Sequence, residues 1–139
     1  LIKPYHRENG EPVIYKAEAM QINGISLKDL QEKGSDVKEA TAKVISLIES
    51  FQVKTLIGHN SASFDIPRLD YLISRFHGKT IKRMFQIDTL QVAKDRYKLE
   101  SYTLENLCTA FGITNGKAHS ALSDAKATLE LYKKLSSVA

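Results

Sequence analysis

The segment Asn115-Gly116-Lys117-Ala118-His119-Ser120-Ala121-Leu122-Ser123-Asp124, with the residues that follow it, is the most informative part of this sequence. On a helical wheel, residues 121 to 135 separate into an apolar arc and a charged arc, which is the pattern of a helix packed on a core. The apolar arc contains Ala121, Leu122, Ala125, Thr128, Leu129, Leu131, Tyr132 and Leu135. We therefore predict a helix from about residue 120 to residue 136.

Asp124 interrupts this pattern because it lies inside the apolar arc. A carboxylate directed at a core must be neutralised, hydrogen-bonded or bound to a metal. His119 lies five residues earlier, and residues at that spacing do not share a helix face, so the two can meet only if His119 lies in a loop before the helix. Asn115-Gly116 favours such a loop. This motif alone favours a simpler alternative, in which Asp124 pairs with a structural Arg and the loop His is unrelated.

Length and composition are those of one ordinary globular domain spanning residues 1–139, with 42% hydrophobic and 26% charged residues. The net charge of +4 permits a polyanionic partner without requiring one. The single cysteine, Cys108, excludes a disulfide framework and fits a reducing compartment, the cytoplasm or, in a eukaryote, the nucleus. No apolar run approaches the roughly 20 residues of a membrane span, so no membrane partner is expected.

Strand and helix patterns alternate along the rest of the chain, which predicts an α/β domain. Asn9-Gly10 is typical of a hairpin turn, and Asp36 with Glu39 is typical of a capping box at a helix start. The buried stripe expected on that helix consists of Val37, Ala40, Val44, Leu47, Ile48 and Phe51. We expect strands at 1–4, 13–15, 55–58 and 84–87, and further helices at 26–31, 65–76, 88–97 and 103–111.

A second group of polar residues follows the predicted strand at 55–58, where ligand sites of α/β sheets gather. Asp65 falls within the apolar arc of the helix that follows if that helix includes it, whereas Asp70 falls outside the arc. Asp65 is also a good N-cap candidate, and the residues favour a cap and a site equally. Asn60 could be a turn residue and His59 a strand-end histidine, and Asp88 is most simply an N-cap.

Two inward-directed Asp residues on separate helices, with a loop His, form a recognisable chemical set. Carboxylates bind Mg²⁺ or Mn²⁺ as hard oxygen ligands. Two such ions roughly 3.5–4 Å apart can hold the attacking and leaving oxygens of a phosphodiester. A nearby His can take the proton of the attacking water. Asp65, Asp124 and His119 therefore suggest metal-dependent phosphodiester hydrolysis, although their spacing does not establish it.

The chain resembles the DEDDh 3′–5′ exonucleases, a proofreading-type family with a ribonuclease H-like fold, over nearly its whole length. His59-Asn60 followed by Phe64-Asp65 resembles the family's second motif, and His119 with Asp124 resembles its third. The other matching segments are Ile22-Asn23-Gly24-Ile25-Ser26, Ile87-Asp88-Thr89-Leu90 and Thr103-Leu104-Glu105-Asn106-Leu107. Five matches in the right order make the resemblance specific.

The family's first motif, an Asp-x-Glu on the first strand, has no counterpart in this sequence. Glu8, Glu11 and Glu18 do not fit it, because they follow what resembles the second strand. We expect that roughly 10–20 N-terminal residues, a typical strand plus turn, are missing. The resemblance thus implies a ribonuclease H-like mixed sheet flanked by helices, lacking its central first strand, and a chain that is inactive or nearly so alone.

The activity implied by the resemblance is release of nucleoside monophosphates from the 3′ end of single-stranded DNA or RNA, with a DNA polymerase as a candidate partner. Asp124 and Asp65 would bind two Mg²⁺ or Mn²⁺ ions together with the missing carboxylates, and His119 would be the general base. Asn60, Ser61 and Phe64 would contact the terminal nucleotide, and Ile22 and Asn23 would contact bases. The alternative is a non-catalytic ribonuclease H-like domain that binds nucleic acid or a polymerase.

Overall fold

The computed structural model describes residues 1–117 and 119–137, so that Ala118, Val138 and Ala139 lie outside the description. Two strands and seven helices occur in this part of the chain, which confirms the α/β class. Their order is α1 (Ala17–Asn23), α2 (Leu27–Lys33), α3 (Val37–Ser50), β1 (Thr55–Gly58), α4 (Asp65–His77), β2 (Phe85–Asp88), α5 (Thr89–Arg96), α6 (Leu104–Ala110) and α7 (Ala121–Ser137). Among these residues no helix is both long enough and apolar enough to cross a bilayer.

The sheet consists of β1 and β2, which are parallel and paired in register from Thr55 with Phe85 to Gly58 with Asp88. Parallel strands require a crossover, and α4 provides it. Both strands were predicted from their short apolar runs. Because parallel strands end at the same edge of a sheet, the loop after β1 and the start of α5 lie side by side.

Residues 1–15 form a turn with isolated bridges instead of the two predicted strands. Ile2 bridges Ser35 in the parallel sense, and His6 bridges Pro12 in the antiparallel sense. The predicted turn at Asn9-Gly10 is present, with Gly10 at φ +83°. The strand predictions at 1–4 and 13–15 are wrong for a physical reason: an isolated hairpin is marginal without a third strand beside it.

The caps of α2 and α3 show where the capping prediction was right and where it was not. Asp36 caps α3 by accepting hydrogen bonds from the backbone N–H groups of Lys38 and Glu39, as expected. The reciprocal capping box, however, is found at Ser26 and Asp29 of α2. The predicted stripe on α3 is wrong at its end, where Leu47 is 55% exposed and Phe51 is 76% exposed.

The start of α4 and its Asp70 both differ from expectation. Phe64 is the N-cap and makes no side-chain cap bond, so the interpretation of Asp65 as a cap is wrong. Asp70 was placed on the outer face but is only 4% exposed. Its carboxylate accepts hydrogen bonds from the Thr80 hydroxyl at 2.6 Å and the Ile81 N–H at 2.9 Å, which is how a buried charge is tolerated. The helical wheel could not show this, because the partners lie in the loop after α4.

The main core joins α5, α6 and α7 through Ala93, Leu107, Leu131 and Leu135, all fully buried. Cys108 is buried beside this core as predicted, and burial raises the pKa of its thiol. The predicted C-terminal helix is confirmed as α7, but its apolar arc is divided. Leu131 and Leu135 are buried, whereas Leu122 is 67% exposed and Leu129 is 45% exposed. One part of the arc therefore faces the core, and another part remains open.

Candidate active site

A cleft of about 610 Å³ runs along β1 between α4 and α7, and we call it the carboxylate cleft. Asp65, the first residue of α4, and Asp124, in the first turn of α7, both line it. The remaining walls are largely apolar and include Leu56, Ile57 and Leu129. The fold thus brings together the two carboxylates that were singled out in the sequence.

Asp124 is held in place by Asn115, in the loop that precedes α7. The Asn115 Nδ2 group donates to Asp124 Oδ1 at 2.7 Å, and the Asn115 side-chain oxygen accepts from the Ser123 hydroxyl at 2.6 Å. Ser123 in turn accepts from the Lys117 N–H at 3.1 Å. Within the described residues Asp124 pairs with no Arg, so that alternative is wrong. The sequence indicated Asn115 only as a loop residue, and its partner could be found only from the folded loop.

Asp65 lies in different surroundings, exposed at the end of the cleft. No hydrogen bond to its carboxylate is found among the described residues, which leaves both oxygens available to a ligand. Ser61, beside it in the cleft, is 6% exposed, and its carbonyl accepts from the Ile66 N–H at 2.9 Å. Gly58 is required here, because a Cβ at this position would collide with the Ser61 side chain. Phe64 is 49% exposed, and the Arg68 guanidinium lies 3.5 Å from its ring centroid.

Asp88, at the end of β2, fixes the loop that follows β1. It caps α5 through the Leu90 N–H, as predicted, and also accepts from the N–H groups of Asn60 at 2.7 Å and Ala62 at 3.1 Å. Asn60 has a positive φ of 56°, which agrees with its interpretation as a turn residue. Its side chain lines a separate cleft together with Asp88, not the carboxylate cleft. Asn60 and Ser61 are therefore neighbours in sequence that line different clefts, and only Ser61 lines the cleft that contains Asp65.

His59 is a structural link between three segments. Its Nδ1 lies 2.8 Å from the Thr89 hydroxyl, and its Nε2 lies 2.9 Å from the carbonyl oxygen of Tyr102. Because a carbonyl can only accept, Nε2 carries the hydrogen. Burial lowers the pKa of His59, against the opposing effects of the Tyr102 carbonyl and the Asp88 charge. A neutral ring that accepts from Thr89 and donates to Tyr102 fits this environment.

His119 is exposed in the loop immediately before α7, as predicted, and has a positive φ of 65°. It lines a second cleft of about 370 Å³, which we call the histidine cleft, together with Asn23 and Lys117. Ala121 lines both the histidine cleft and the carboxylate cleft, so the two clefts meet at the start of α7. Ile22, 64% exposed, is not among the residues that line either cleft.

The donor set of the carboxylate cleft is correct in type for Mg²⁺ or Mn²⁺ but too small for two ions. Within residues 1–117 and 119–137, no three His, Cys, Asp or Glu side chains are grouped closely enough to hold a metal. Mg²⁺ prefers near-octahedral oxygen coordination and gives up its waters reluctantly. Asp65 and Asp124 are therefore, among the described residues, at most part of the donor set that two such ions would need.

Comparison with known proteins identifies the family. A family model described as an exonuclease matches residues 6–132. The chain belongs to this exonuclease family. Among curated relatives, the exonuclease chain is 34% identical over 120 residues to the DNA polymerase III subunit epsilon of Rickettsia prowazekii, covering 83% of this chain and 50% of that protein. It is 30% identical over 115 residues to the PolC-type DNA polymerase III of Thermotoga maritima, covering 83% of this chain and 8% of that protein.

Solved structures agree with this assignment. The exonuclease chain superposes on a structure of exonuclease I with a TM-score of 0.72 and 25% identity, over 88% of this chain and 30% of that chain. A structure of Escherichia coli exonuclease I in complex with a dT13 oligonucleotide gives a TM-score of 0.74 at 21% identity, over 95% and 35% of the two chains, and supports the fold alone. The resemblance to DEDD-type 3′–5′ exonucleases is thus confirmed, although the chain spans half or less of these relatives.

Proposed function

We propose that this chain contributes to a 3′–5′ exonuclease that releases nucleoside monophosphates from the end of a single-stranded nucleic acid. One observation carries the proposal: Asp65 and Asp124, from separate helices, line one cleft, and His119 is exposed beside it. Relatives that belong to DNA polymerase III support DNA as the substrate and a polymerase as the partner.

The carboxylate cleft has room for further ligands beside Asp65 and Asp124. In the described residues β1 pairs only with β2, so its other edge is open toward this cleft. Ile57 on β1 is 38% exposed, and Leu129 on α7 is 45% exposed. An open edge beside apolar side chains favours the addition of a strand, which gains backbone hydrogen bonds and buries apolar surface. We infer that a strand bearing Asp-x-Glu occupies this edge and completes the carboxylate set.

Each residue of the site then has a definite task. Asp65 and Asp124 would bind Mg²⁺ or Mn²⁺, which stabilise the attacking and leaving oxygens of the phosphodiester when bound. Asn115 keeps the Asp124 carboxylate oriented through its 2.7 Å hydrogen bond. His119 would take the proton of the attacking water, and for this the loop that carries it has to bring the ring past Ala121 into the carboxylate cleft.

The substrate strand would contact residues on both sides of Ala121. Ser61 lines the cleft with Asp65, where the terminal nucleotide would be bound, and Phe64 directly precedes Asp65 in the chain. The Arg68 guanidinium covers one face of the half-exposed Phe64 ring, so a base would stack on the other face. Asn23 lies with His119 in the histidine cleft, and the exposed Ile22 precedes it in the chain. Asn60 has less support as a contact, because its side chain lines another cleft.

A non-catalytic nucleic-acid-binding domain is the second candidate. It is favoured by the absence of a third metal-binding side chain near Asp65 and Asp124 in the described residues. The two candidates predict the same binding of single strands but differ in whether an added strand with Asp-x-Glu creates cleavage.

Cleavage by a chain extended ahead of Leu1 with a strand bearing Asp-x-Glu tests the proposal. With Mn²⁺ and a 5′-labelled single strand, we expect progressive shortening from the 3′ end and release of monophosphates, whereas a circular strand of the same sequence should stay intact.

Asp65→Asn and Asp124→Asn should each slow cleavage by roughly 10²-fold or more, because a metal ligand contributes several kcal/mol to transition-state stabilisation. Asp95→Asn, an exposed carboxylate on α5, is the matched control. Cutting of the circle, or equal rates in all variants, would contradict the proposal.

A further inference from the structure

A third cleft, of about 640 Å³, lies between α4 and the turn formed by residues 5–14. We call it the arginine cleft, because Arg7, Arg68 and Arg75 line it. Tyr5 and Tyr71 complete its polar wall. It opens on a different side of α4 from the carboxylate cleft, since the two share none of their lining residues.

One face of α4 leads into the arginine cleft. Phe64, Arg68, Tyr71 and Arg75 follow one another at spacings of four, three and four residues, which places them on the same helix face. At a rise of 1.5 Å per residue this face extends for about 16 Å. It begins at Phe64, directly before the metal-binding candidate Asp65.

The three arginines lack the acidic partners that such side chains usually have. The ion pairs found among the described residues include none of them, and no Asp or Glu lines the arginine cleft. The Arg75 Nη1 group is buried and has no hydrogen-bond partner, while its guanidinium is stacked 4.7 Å from the Phe76 ring centroid. A buried donor without a partner is costly, and the guanidinium that carries it belongs to a residue that lines the arginine cleft.

The aromatic residues of this face indicate which anion it is. Tyr71 is 45% exposed and Phe64 is 49% exposed, and both alternate with arginines along α4. Guanidinium groups bind phosphate oxygens in a bidentate manner, and exposed rings stack on the bases of a single strand. An acidic peptide would account for the arginines but not for the exposed rings between them.

We propose that the arginine cleft and this face of α4 bind the upstream nucleotides of a single-stranded nucleic acid. The phosphates contact Arg7, Arg68 and Arg75, and bases stack on Phe64 and Tyr71. The direction of the strand rests on the proposed function: the 3′ end lies at Asp65 and the chain continues toward Arg75. The binding itself requires no metal.

Metal-free binding separates this proposal from the catalytic one. A fluorescent 12-nucleotide single strand is titrated into the chain in EDTA at several salt concentrations. Arg68→Gln with Arg75→Gln should weaken binding and reduce the slope of log K against log salt by about 1.4, because each lost phosphate contact removes about 0.7. Tyr71→Ala should weaken binding roughly 5- to 150-fold with little change in slope, because it removes stacking alone. The matched control is Lys126→Gln with Lys134→Gln on α7, which removes two charges elsewhere and should retain the parent slope.

Competitors and a conservative variant decide the remaining outcomes. Arg68→Lys with Arg75→Lys should retain most of the salt slope and lose affinity, since lysine keeps the charge but not the bidentate contact. The proposal would be overturned if the arginine-to-glutamine variant bound the single strand with the affinity and the salt slope of the parent chain. It would also be overturned if an oligoglutamate peptide or pyrophosphate displaced the fluorescent strand as well as an unlabelled strand does, and Tyr71→Ala left the affinity for the strand unchanged.

A small substrate distinguishes failure of this proposal from failure of the proposed function. A nitrophenyl ester of thymidine monophosphate is too short to reach Arg75, so its cleavage by the strand-extended chain reports only on the carboxylate cleft. If the ester is cleaved but substitution of Arg68 and Arg75 does not change strand binding, only the proposal for the arginine cleft is wrong. If strand binding depends on these arginines but the ester is not cleaved, the proposed function alone is wrong.

Discussion

Asp124 and Asp65 face the same cleft from different surroundings. The Asp124 carboxylate is fixed by Asn115, whereas the Asp65 carboxylate is exposed and has no described partner. In the proposed metal site, Asp124 would be oriented before a metal binds, and Asp65 would be ordered by the metal. The sequence singled out Asp124, because a carboxylate in an apolar arc needs an explanation, but the motif alone favoured a structural ion pair, and the site role came from the family resemblance. It could not predict Asn115 as the partner, since that contact depends on how the loop folds back on α7.

The role of His119 is testable in the strand-extended protein. His119→Ala should reduce turnover by roughly 10²–10⁴-fold, the usual effect of losing a general base. Mn²⁺ affinity should change little, because His119 lines the histidine cleft and not the carboxylate cleft. Single-turnover cleavage and calorimetric Mn²⁺ titration measure the two quantities, with His6→Ala, another exposed histidine, as the control. Near-normal turnover in His119→Ala would rule out the assigned role.

His59 predicts a specific pH dependence of stability. Burial holds its pKa in the folded protein below the ordinary histidine value of 6.5, so the unfolded chain binds more protons between the two pKa values. Its contribution to stability is complete above about pH 6.5 and is lost as the pH falls through that window. His59→Gln should therefore flatten the decline of the free energy of unfolding between about pH 7 and pH 5.

Urea denaturation across this pH range measures the effect. The exposed His6→Gln variant should retain the decline of the parent chain, since its ring has no buried contacts. An unchanged pH profile in His59→Gln would show that the buried ring at the end of β1 does not control acid stability.

At the scale of elements, Asp70 ties α4 to the loop before β2. Its hydrogen bonds to Thr80 and Ile81 hold its pKa below the usual range, with the Thr80 hydroxyl the largest cause. Lys82 lies 3.6 Å away but is exposed, so this ion pair adds little. Asp70→Asn should lower the free energy of unfolding by about 1.5–3 kcal/mol, the usual value of hydrogen bonds to a charged group.

The stability contribution of Asp70 is also lost as the pH falls, but in a lower pH range than that of His59. Because the pKa of Asp70 is lowered on folding, its contribution to stability is present above the ordinary aspartate value of 3.8 and is lost as the pH falls through the pKa of the folded protein. Chemical denaturation at pH 7 and pH 3 should show a difference between parent and Asp70→Asn at pH 7 that narrows at pH 3. A deficit that is as large at pH 3 would mean that the carboxylate charge is not responsible.

Elements with a strong local signal were predictable from sequence, and those that depend on distant partners were not. The strand β1 follows from a short apolar run and the helix α7 from apolar periodicity, and Asp36 and Asp88 cap helices as expected. The wheel misplaced Asp70, because a polar residue can be buried when another loop satisfies it. The wheel places Arg68 and Arg75 on one face of α4, but it could not show that Arg7 joins them from the N-terminal turn.

At the scale of the whole molecule, the carboxylate cleft lies at the edge of β1 that has no paired strand among the described residues. One wall is the open edge of β1, and another is the part of the α7 arc that does not reach the core. Leu129 and Ile57 are therefore exposed in the same place where two carboxylates converge. Adding one strand with acidic residues would satisfy the strand edge, bury the apolar wall and complete the metal ligands together.

Thermal melting with Mn²⁺ tests this account most directly. Three proteins are compared: the chain alone, the chain extended ahead of Leu1 by a strand with Asp-x-Glu, and the same extension with Asn-x-Gln. Both extensions should raise the melting temperature, because both complete the sheet. Only the Asp-x-Glu form should melt at a still higher temperature with Mn²⁺, because ion binding at 100 times its Kd adds about 2.7 kcal/mol to the free energy of unfolding. If the chain alone or the Asn-x-Gln form gains as much from Mn²⁺, the carboxylate cleft is not an incomplete two-metal site.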